Sequence, residues 1–285
     1  MCSAIKFKTC FGRNYDYEQS FDEEIITIPK DLIENDYEIM GIVSGQVQEY
    51  PLFYDGMNSE GLAMAGLNFA GNTQYQQNLF KPVPVWNLIP TVLGKCKNVS
   101  EAKEMINSIS VINKRFKKNL PNGELHFMIA DSNEAIVVEY TKKGLMIKSS
   151  NIMTNNPPIE DMILTAKYQN NKIGEKNPIY INKKFHSRGM ETLGLPGSYT
   201  SLDRFSRLKW LSEEMNSRKN PLIDTFHLLS SVEQINGITH VDRKYEYTIY
   251  SVVYDMKDKR MVIKKYDELE YKTFEFEQEY NRVRL

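Results

Sequence analysis

Cys2 directly follows Met1, and Phe11-Gly12-Arg13-Asn14-Tyr15-Asp16 follows one short turn later. If Met1 is removed, Cys2 carries a nucleophile and a base on one residue, its thiol and its own α-amine. A free thiol titrates near ~8.5 and an α-amine near ~8. The amine therefore lies close enough to neutrality to move a proton to and from the sulfur. A guanidinium beside the sulfur favours the thiolate, and Arg13 is the local candidate. Asp16 is placed to accept hydrogen bonds from the α-amine. The chemistry on offer is hydrolysis of an amide through a thioester. The same residues also suit a small side chain opening an edge strand, with Arg13 and Asp16 as a surface ion pair.

The rest of the composition narrows the classes. Three cysteines (Cys2, Cys10, Cys96) and four histidines (His126, His186, His227, His240) are scattered, without CxxC or HxxxH spacing. No metal site is expected, and Cys10 and Cys96 read as small, partly buried free thiols. A formal net charge of -1 argues against a nucleic-acid partner. No apolar run approaches the ~20 residues that span a bilayer, so no membrane partner is expected. Lys6, Lys8, Thr9 and Arg13 interrupt any apolar stretch that could serve as a leader, and a cytoplasmic protein is the expectation. With 285 residues, 41% of them hydrophobic, the chain can bury a full core.

The elements that must position Cys2 are legible as periodicities. Ser3, Ile5 and Phe7 alternate with Ala4, Lys6 and Lys8, the period of a half-buried strand. Thr9-Cys10 reads as the turn into a second strand over 11–17. Antiparallel pairing of the two brings Arg13 and Asp16 close to Cys2. Further strands are predicted over 24–28, 38–44, 52–54 and 62–68, with a turn cluster over 55–61. Helices are predicted over 84–96 and over 101–108, the second capped by Ser100. Strands at 125–130, 135–140, 144–149 and 152–154 follow. Residues 165–185 read as mostly loop, with room for a short helix. Helices over 202–216 and 221–232, strands over 245–254 and 261–266, and a short strand over 272–276 complete the chain. This order describes an α+β protein in helix–sheet–sheet–helix layers. Without repeats or linkers, residues 1–285 read as one domain.

Seven short stretches, in order, carry a resemblance. They are Met1-Cys2; Phe11-Gly12-Arg13-Asn14-Tyr15-Asp16-Tyr17-Glu18; Tyr54-Asp55-Gly56-Met57-Asn58; Gly61-Leu62-Ala63-Met64-Ala65-Gly66-Leu67-Asn68-Phe69; Thr154-Asn155-Asn156-Pro157; Leu195-Pro196-Gly197 with Arg204-Phe205; and Glu246-Tyr247-Thr248-Ile249-Tyr250-Ser251. Together they resemble the choloylglycine hydrolase family, which includes bile salt hydrolases and penicillin V acylases, over nearly the whole chain. The resemblance implies the αββα fold of N-terminal-nucleophile hydrolases, with two stacked antiparallel sheets between helical layers. It implies hydrolysis of a linear amide without metal or organic cofactor, and a homotetramer. Carried over, Cys2 is the nucleophile and its amine the base. Arg13 and Arg204 flank the sulfur, and Asp16 holds the amine. The Asn155 side-chain amide and the Asn68 backbone N–H form the oxyanion site. Tyr15, Phe21, Phe69, Phe116 and Leu120 fall where the family lines an apolar acyl pocket, although plain core packing suits each of them too.

Conjugated bile salts are the leading substrates, because penicillin V acylases tend to carry tyrosine where this chain has Asn68. The alternatives are an acylase for penicillin V or another N-acyl compound such as an acyl-homoserine lactone, and a catalytically silent binding protein on the same fold. Three departures bear on the choice. The first hairpin turn is shorter than is usual in the family. Asp203 replaces a common serine and is expected to be able to pair with Arg204. A basic run, Lys114-Arg115-Phe116-Lys117-Lys118, replaces more apolar residues and could draw an anionic group to the pocket mouth. His126 reads as a packed core histidine.

Overall fold

The computed structural model describes every residue except 33–34, 76–79, 118–122, 175–191, 217–219, 242 and 278. Its first half runs β1 (Cys2–Phe7), β2 (Cys10–Tyr17), β3 (Glu24–Ile28), β4 (Ile39–Val43), β5 (Phe53–Asn58), β6 (Ala63–Asn68), β7 (Pro82–Pro84), α1 (Leu88–Lys95), α2 (Val99–Ser108) and β8 (Ser110–Ile112). The middle adds β9 (Leu125–Ala130), β10 (Ala135–Thr141), β11 (Gly144–Ser149), β12 (Ile152–Met153) and α3 (Ile159–Asn170). The remainder is α4 (Ser201–Glu214), α5 (Pro221–Ser230), β13 (Thr239–Val241), β14 (Lys244–Asp255), β15 (Arg260–Lys265), β16 (Tyr271–Glu275) and β17 (Asn281–Arg284).

Apart from β7 and β8, which pair in parallel with each other, the described strands form two antiparallel sheets. The first has the order β12-β1-β2-β14-β15-β16, with β13 on β14, and the second β11-β10-β9-β6-β5-β4-β3-β17. Alternation along the second sheet explains the layering. Met40, Ile42, Ala63, Ala65, Leu67, Met128 and Ala130 point into the layer between the sheets, where they meet Cys2, Ala4 and Tyr15. Ile39, Val43, Met64, Phe127 and Ile129 point the other way, against Leu88, Val92 and Leu93 of α1 and Ala102 and Ile106 of α2. Helices α3, α4 and α5 cover the outer face of the first sheet, so the architecture is αββα. Both faces of each central strand are therefore buried, which is why these strands read as nearly continuous apolar runs.

Several elements differ from the sequence reading. The first turn is Lys8-Thr9, with Lys8 at φ 53°, so Cys10 already belongs to β2. β5 runs through Asn58 into the stretch read as a turn cluster. Gly41 pairs with Gly56 there, and the Asn58 side chain closes the real turn by accepting from the Glu60 and Leu62 N–H groups. Asn98, not Ser100, caps α2 by accepting from the Glu101 N–H at 2.9 Å. α1 is shorter than 84–96: Pro84 belongs to β7, which pairs in parallel with β8, and Val85–Asn87 form a 3-10 turn before the helix begins. α3 starts at Ile159, ahead of the 165–185 stretch read as loop with room for a short helix, and runs into it as far as Asn170. The prolines before it hide its start, and the Glu139 carboxylate supplies its first cap by accepting from the Ile159 N–H. Residues 175–185 of that expected loop lie outside the described residues.

Candidate active site

β1 and β2 pair in a register that sets Cys2 opposite Tyr15 and Ala4 opposite Arg13. Their side chains alternate, so Cys2, Arg13 and Tyr15 share the face toward the second sheet. Ser3, Asn14 and Asp16 take the face toward the helices. Asn14 fixes β2 to that side, donating to the Leu229 carbonyl at 2.9 Å and accepting from Ser251 Oγ at 2.8 Å.

On the inner face Arg13 is 1% exposed. Its Nη2 donates to Cys2 Sγ at 3.6 Å and to the Gly66 carbonyl at 3.0 Å. Its Nη1 donates to the Tyr54 carbonyl and to Asp55 Oδ2, both at 2.6 Å. The Tyr15 ring lies 5.0 Å from the guanidinium carbon. Burial opposes the charge on Arg13, but Tyr250, Asp55 and Cys2 more than offset it and hold the group protonated.

On the outer face Arg204 reaches in from the first turns of α4 and is fully buried. Its Nη1 donates to the Cys2 carbonyl at 2.6 Å and to Ser3 Oγ, and its Nη2 to Asn155 Oδ1 at 3.0 Å. The Asp16 carboxylate is 3.8 Å from Nη1. It also accepts from Gln234 Nε2 and Thr248 Oγ1, both at 2.6 Å. Burial raises the Asp16 carboxyl above its usual range, against the pull of Arg204 and the N-terminal charge.

Asn155 joins the two faces. It accepts from the Cys2 N–H at 2.6 Å and donates through Nδ2 to the Asn68 carbonyl at 2.8 Å. Ser201 Oγ accepts from its backbone N–H at 2.8 Å. The Phe69 N–H donates to the Glu124 carbonyl at 2.7 Å, so the antiparallel alternation turns the Asn68 N–H away from β9. The Met1 ammonium donates to the Asp16 carbonyl at 3.0 Å and pairs with the Glu246 carboxylate. Around Cys2 the fold thus gathers two guanidinium groups, a side-chain amide and the chain terminus; Arg13 meets the sulfur, whereas Arg204, expected to flank it too, meets the Cys2 backbone carbonyl from the other face. Such a group can attack a carbonyl and stabilise the oxyanion that forms.

All six residues read as reactive, Cys2, Arg13, Asp16, Asn68, Asn155 and Arg204, meet here. Two pairings that the sequence allowed are not made. Arg13 and Asp16 do not pair, because three residues of strand put them on opposite faces; Arg13 takes Asp55 and Asp16 takes Arg204. Asp203 turns away from Arg204 to accept from Gln169 Nε2 and the Ser198 N–H. The amine expected at Asp16 is that of Cys2, whose nitrogen here is a peptide N–H donating to Asn155 Oδ1.

The expected pocket residues are more dispersed. Tyr15 is buried among Tyr54 and Tyr250. Phe21 is half-buried against Tyr17. Phe69 is fully buried and stacked on His126 at 4.3 Å. Phe116 packs with Tyr50 and Trp86. Leu120 and Lys118 lie outside the described residues. Lys117 pairs with Glu49. His126 is packed in the core as expected, 3.1 Å from Glu139. Sequence reasoning assigned nothing to Asp55, Thr248, Ser201, Gln234 or Glu246. Asp55, Thr248 and Glu246 sat inside the recognised stretches, but Gln234 carried no local signal.

Comparison with known proteins places this arrangement. A profile of the linear amide C–N hydrolases, choloylglycine hydrolase family, matches residues 2–280. A bile salt hydrolase/transferase of Lactiplantibacillus plantarum is 37% identical over 90% of this chain and 86% of its own. A bile salt hydrolase/transferase of Clostridium perfringens is 31% identical over 88% and 85%. Among solved structures, a mutant conjugated bile acid hydrolase from Clostridium perfringens superposes with TM-score 0.89 at 25% identity, covering 100% of this chain and 97% of that one. The penicillin V acylase of Agrobacterium tumefaciens shares the fold, with TM-score 0.73 at 18% identity over 96% and 86%.

Proposed function

Because the chain belongs to the choloylglycine hydrolase family of linear amide C–N hydrolases, we propose that it hydrolyses conjugated bile salts, releasing glycine or taurine from the steroid acid. The relatives named as bile salt hydrolases support this substrate class. The observation that carries the mechanism is the convergence of Arg13, Arg204 and Asn155 on Cys2.

Met1 is removed first, and the Cys2 nitrogen becomes a free amine beside Asn155 Oδ1. The amine takes the thiol proton, and Arg13 Nη2 stabilises the thiolate. The sulfur attacks the amide carbonyl. Asn155 Nδ2 leaves the Asn68 carbonyl and, with the Asn68 N–H, donates to the developing oxyanion. The protonated amine then passes its proton to the leaving nitrogen, and the amine product departs. Water activated by the same amine hydrolyses the thioester. Arg204 holds the Cys2 backbone and Asn155 in register, and Asp16 balances its charge. Tyr15, Phe21, Phe69, Phe116 and Leu120 are assigned to the apolar acyl side.

Residues 1–285 work as one catalytic domain in this proposal. Support comes from the pairing of β17 with β3 and of β14 with β2, which build both sheets from both ends of the chain. The assembly is a cytoplasmic homotetramer, which light scattering and cell fractionation test. Among the described residues no helix is long and apolar enough to cross a membrane.

The deciding experiment compares turnover of glycine- and taurine-conjugated bile salts, penicillin V and an acyl-homoserine lactone by chain shown by intact mass to lack Met1. Bile salts should be hydrolysed fastest, and Cys2→Ala should turn over none of them. Faster hydrolysis of penicillin V or the lactone would replace the substrate class. Turnover by Cys2→Ala would overturn the mechanism.

A further inference from the structure

Asp55 lies at the centre of a buried network that the reaction scheme above does not use. It is fully buried on β5, in the layer between the sheets. Its Oδ2 accepts from Arg13 Nη1 at 2.6 Å and from the Tyr250 hydroxyl at 2.7 Å. Its Oδ1 accepts from the Tyr254 hydroxyl. Tyr250 and Tyr254 stand four residues apart on β14, so both rings project from the same face onto one carboxylate. Burial and the neighbouring carboxylate push both phenols far up, so they remain neutral donors.

We propose that Asp55, clamped by Tyr250 and Tyr254, is the positioning residue that holds the Arg13 guanidinium against Cys2 Sγ. This rests on the reading of Cys2 as the nucleophile. The reason lies in the charge cycle of the sulfur. Cys2 is a thiolate before attack and an uncharged thioester after it. Arg13 is buried, and an unpaired cation is costly there. With the sulfur as its sole anionic neighbour, the guanidinium would lose its counter-ion at each acylation. Asp55 supplies a permanent one, on the opposite edge of the same planar group. The carbonyls of Tyr54 and Gly66 then fix the rotation of that plane. The two phenol donors fix the carboxylate in turn, so the position of Arg13 is inherited from β14 and β5.

The test reads Arg13 through the sulfur. Alkylation of Cys2 by iodoacetamide at pH 7 is followed by intact mass in the chain lacking Met1, for wild type, D55N, Y254F, R13A and the R13A/D55N double variant. D55N should slow Cys2 alkylation by roughly tenfold or more and lower kcat at nearly unchanged KM, as expected for a group acting through transition-state placement. Y254F keeps both charges and folds with an intact ion pair, and it should slow alkylation by about threefold. In the R13A background D55N should have no further effect on alkylation, because residues acting through one contact are not additive. Equal slowing by D55N in both backgrounds would overturn the proposal. So would wild-type alkylation rates in D55N or, should D55N not fold, in Y254F. If Cys2→Ala retained turnover, the nucleophile assignment itself would fail, which is a separate result.

Discussion

Arg204 donates to the carbonyl oxygen of Cys2 at 2.6 Å, across 202 positions of sequence. The start of α4 is thereby tied to the backbone of the candidate nucleophile. The same guanidinium reaches Ser3, Asn155 and Asp16. One side chain therefore sets the relative placement of β1, β2 and the loop that carries Asn155.

Replacing Arg204 by alanine strands Asp16 as a buried carboxylate whose remaining partners are Gln234 and Thr248. Removing one member of a buried pair costs about 3–5 kcal/mol. Urea unfolding of Arg204→Ala should show a loss of that size, and Asp16→Asn in the same chain should recover part of it. A loss below about 1 kcal/mol would mean that the pair is not a structural tie.

Asn155→Ala removes the amide assigned to the oxyanion. It should lower kcat by ~10²–10³ with KM changed by only a few-fold. A rise in KM at constant kcat would instead place Asn155 in ground-state binding.

Cys10 is a thiol that burial keeps protonated. Burial, followed by the nearby Asp255, pushes its thiol up to about 12. Carbamidomethylation of the folded chain at pH 8 should therefore modify Cys2 and leave Cys10 untouched. The folded chain holds this proton more tightly than the unfolded chain, where a thiol titrates near ~8.5. The stability that follows is complete below ~8.5 and is lost as pH rises toward the folded value. Chemical unfolding from pH 8 to 11 should show a downward slope that is shallower in Cys10→Ala. Equal slopes would show that the burial of this thiol carries no proton linkage.

Gly41 lets β4 approach β5 beside Asp55. A Cβ there would lie 2.4 Å from the Asp55 carbonyl oxygen and 2.8 Å from the Gly56 Cα, both backbone atoms. Gly41→Ala should cost about 1–3 kcal/mol and should also slow Cys2 alkylation, since it displaces the strand that carries Asp55. At Gly12 the nearest atom is the Thr225 methyl, at 2.6 Å, so accommodation of Gly12→Ala depends on α5 rather than on the sheet. Melting temperatures of the two variants, read beside their alkylation rates, check the contrast.

Local periodicity was enough to reveal most of the fold. Alternation in residues 3–7 and the β-branched run in 24–28 reflect side chains that point to two faces of one strand, a constraint acting over a few residues. Elements whose stability comes from elsewhere were misplaced or missed. α3 starts behind two prolines and takes its cap from Glu139 on another strand, and β17 exists because β3 offers it an edge.

The site divides in the same way. The candidate reactive group was legible without a fold, because an amine and a thiol on one residue are adjacent in any conformation. A two-residue turn then sufficed to bring Arg13 beside that thiol, as two neighbouring strands must pair. The partners of each charge were decided only by the tertiary structure. Strand alternation sends Arg13 and Asp16 to opposite faces, and only the packing of a second sheet and of α4 determines what waits there. Asp55 meets Arg13 from β5, and Arg204 meets Asp16 from α4. Distances of this kind depend on how layers stack, a property of the whole buried core that no short stretch of residues encodes.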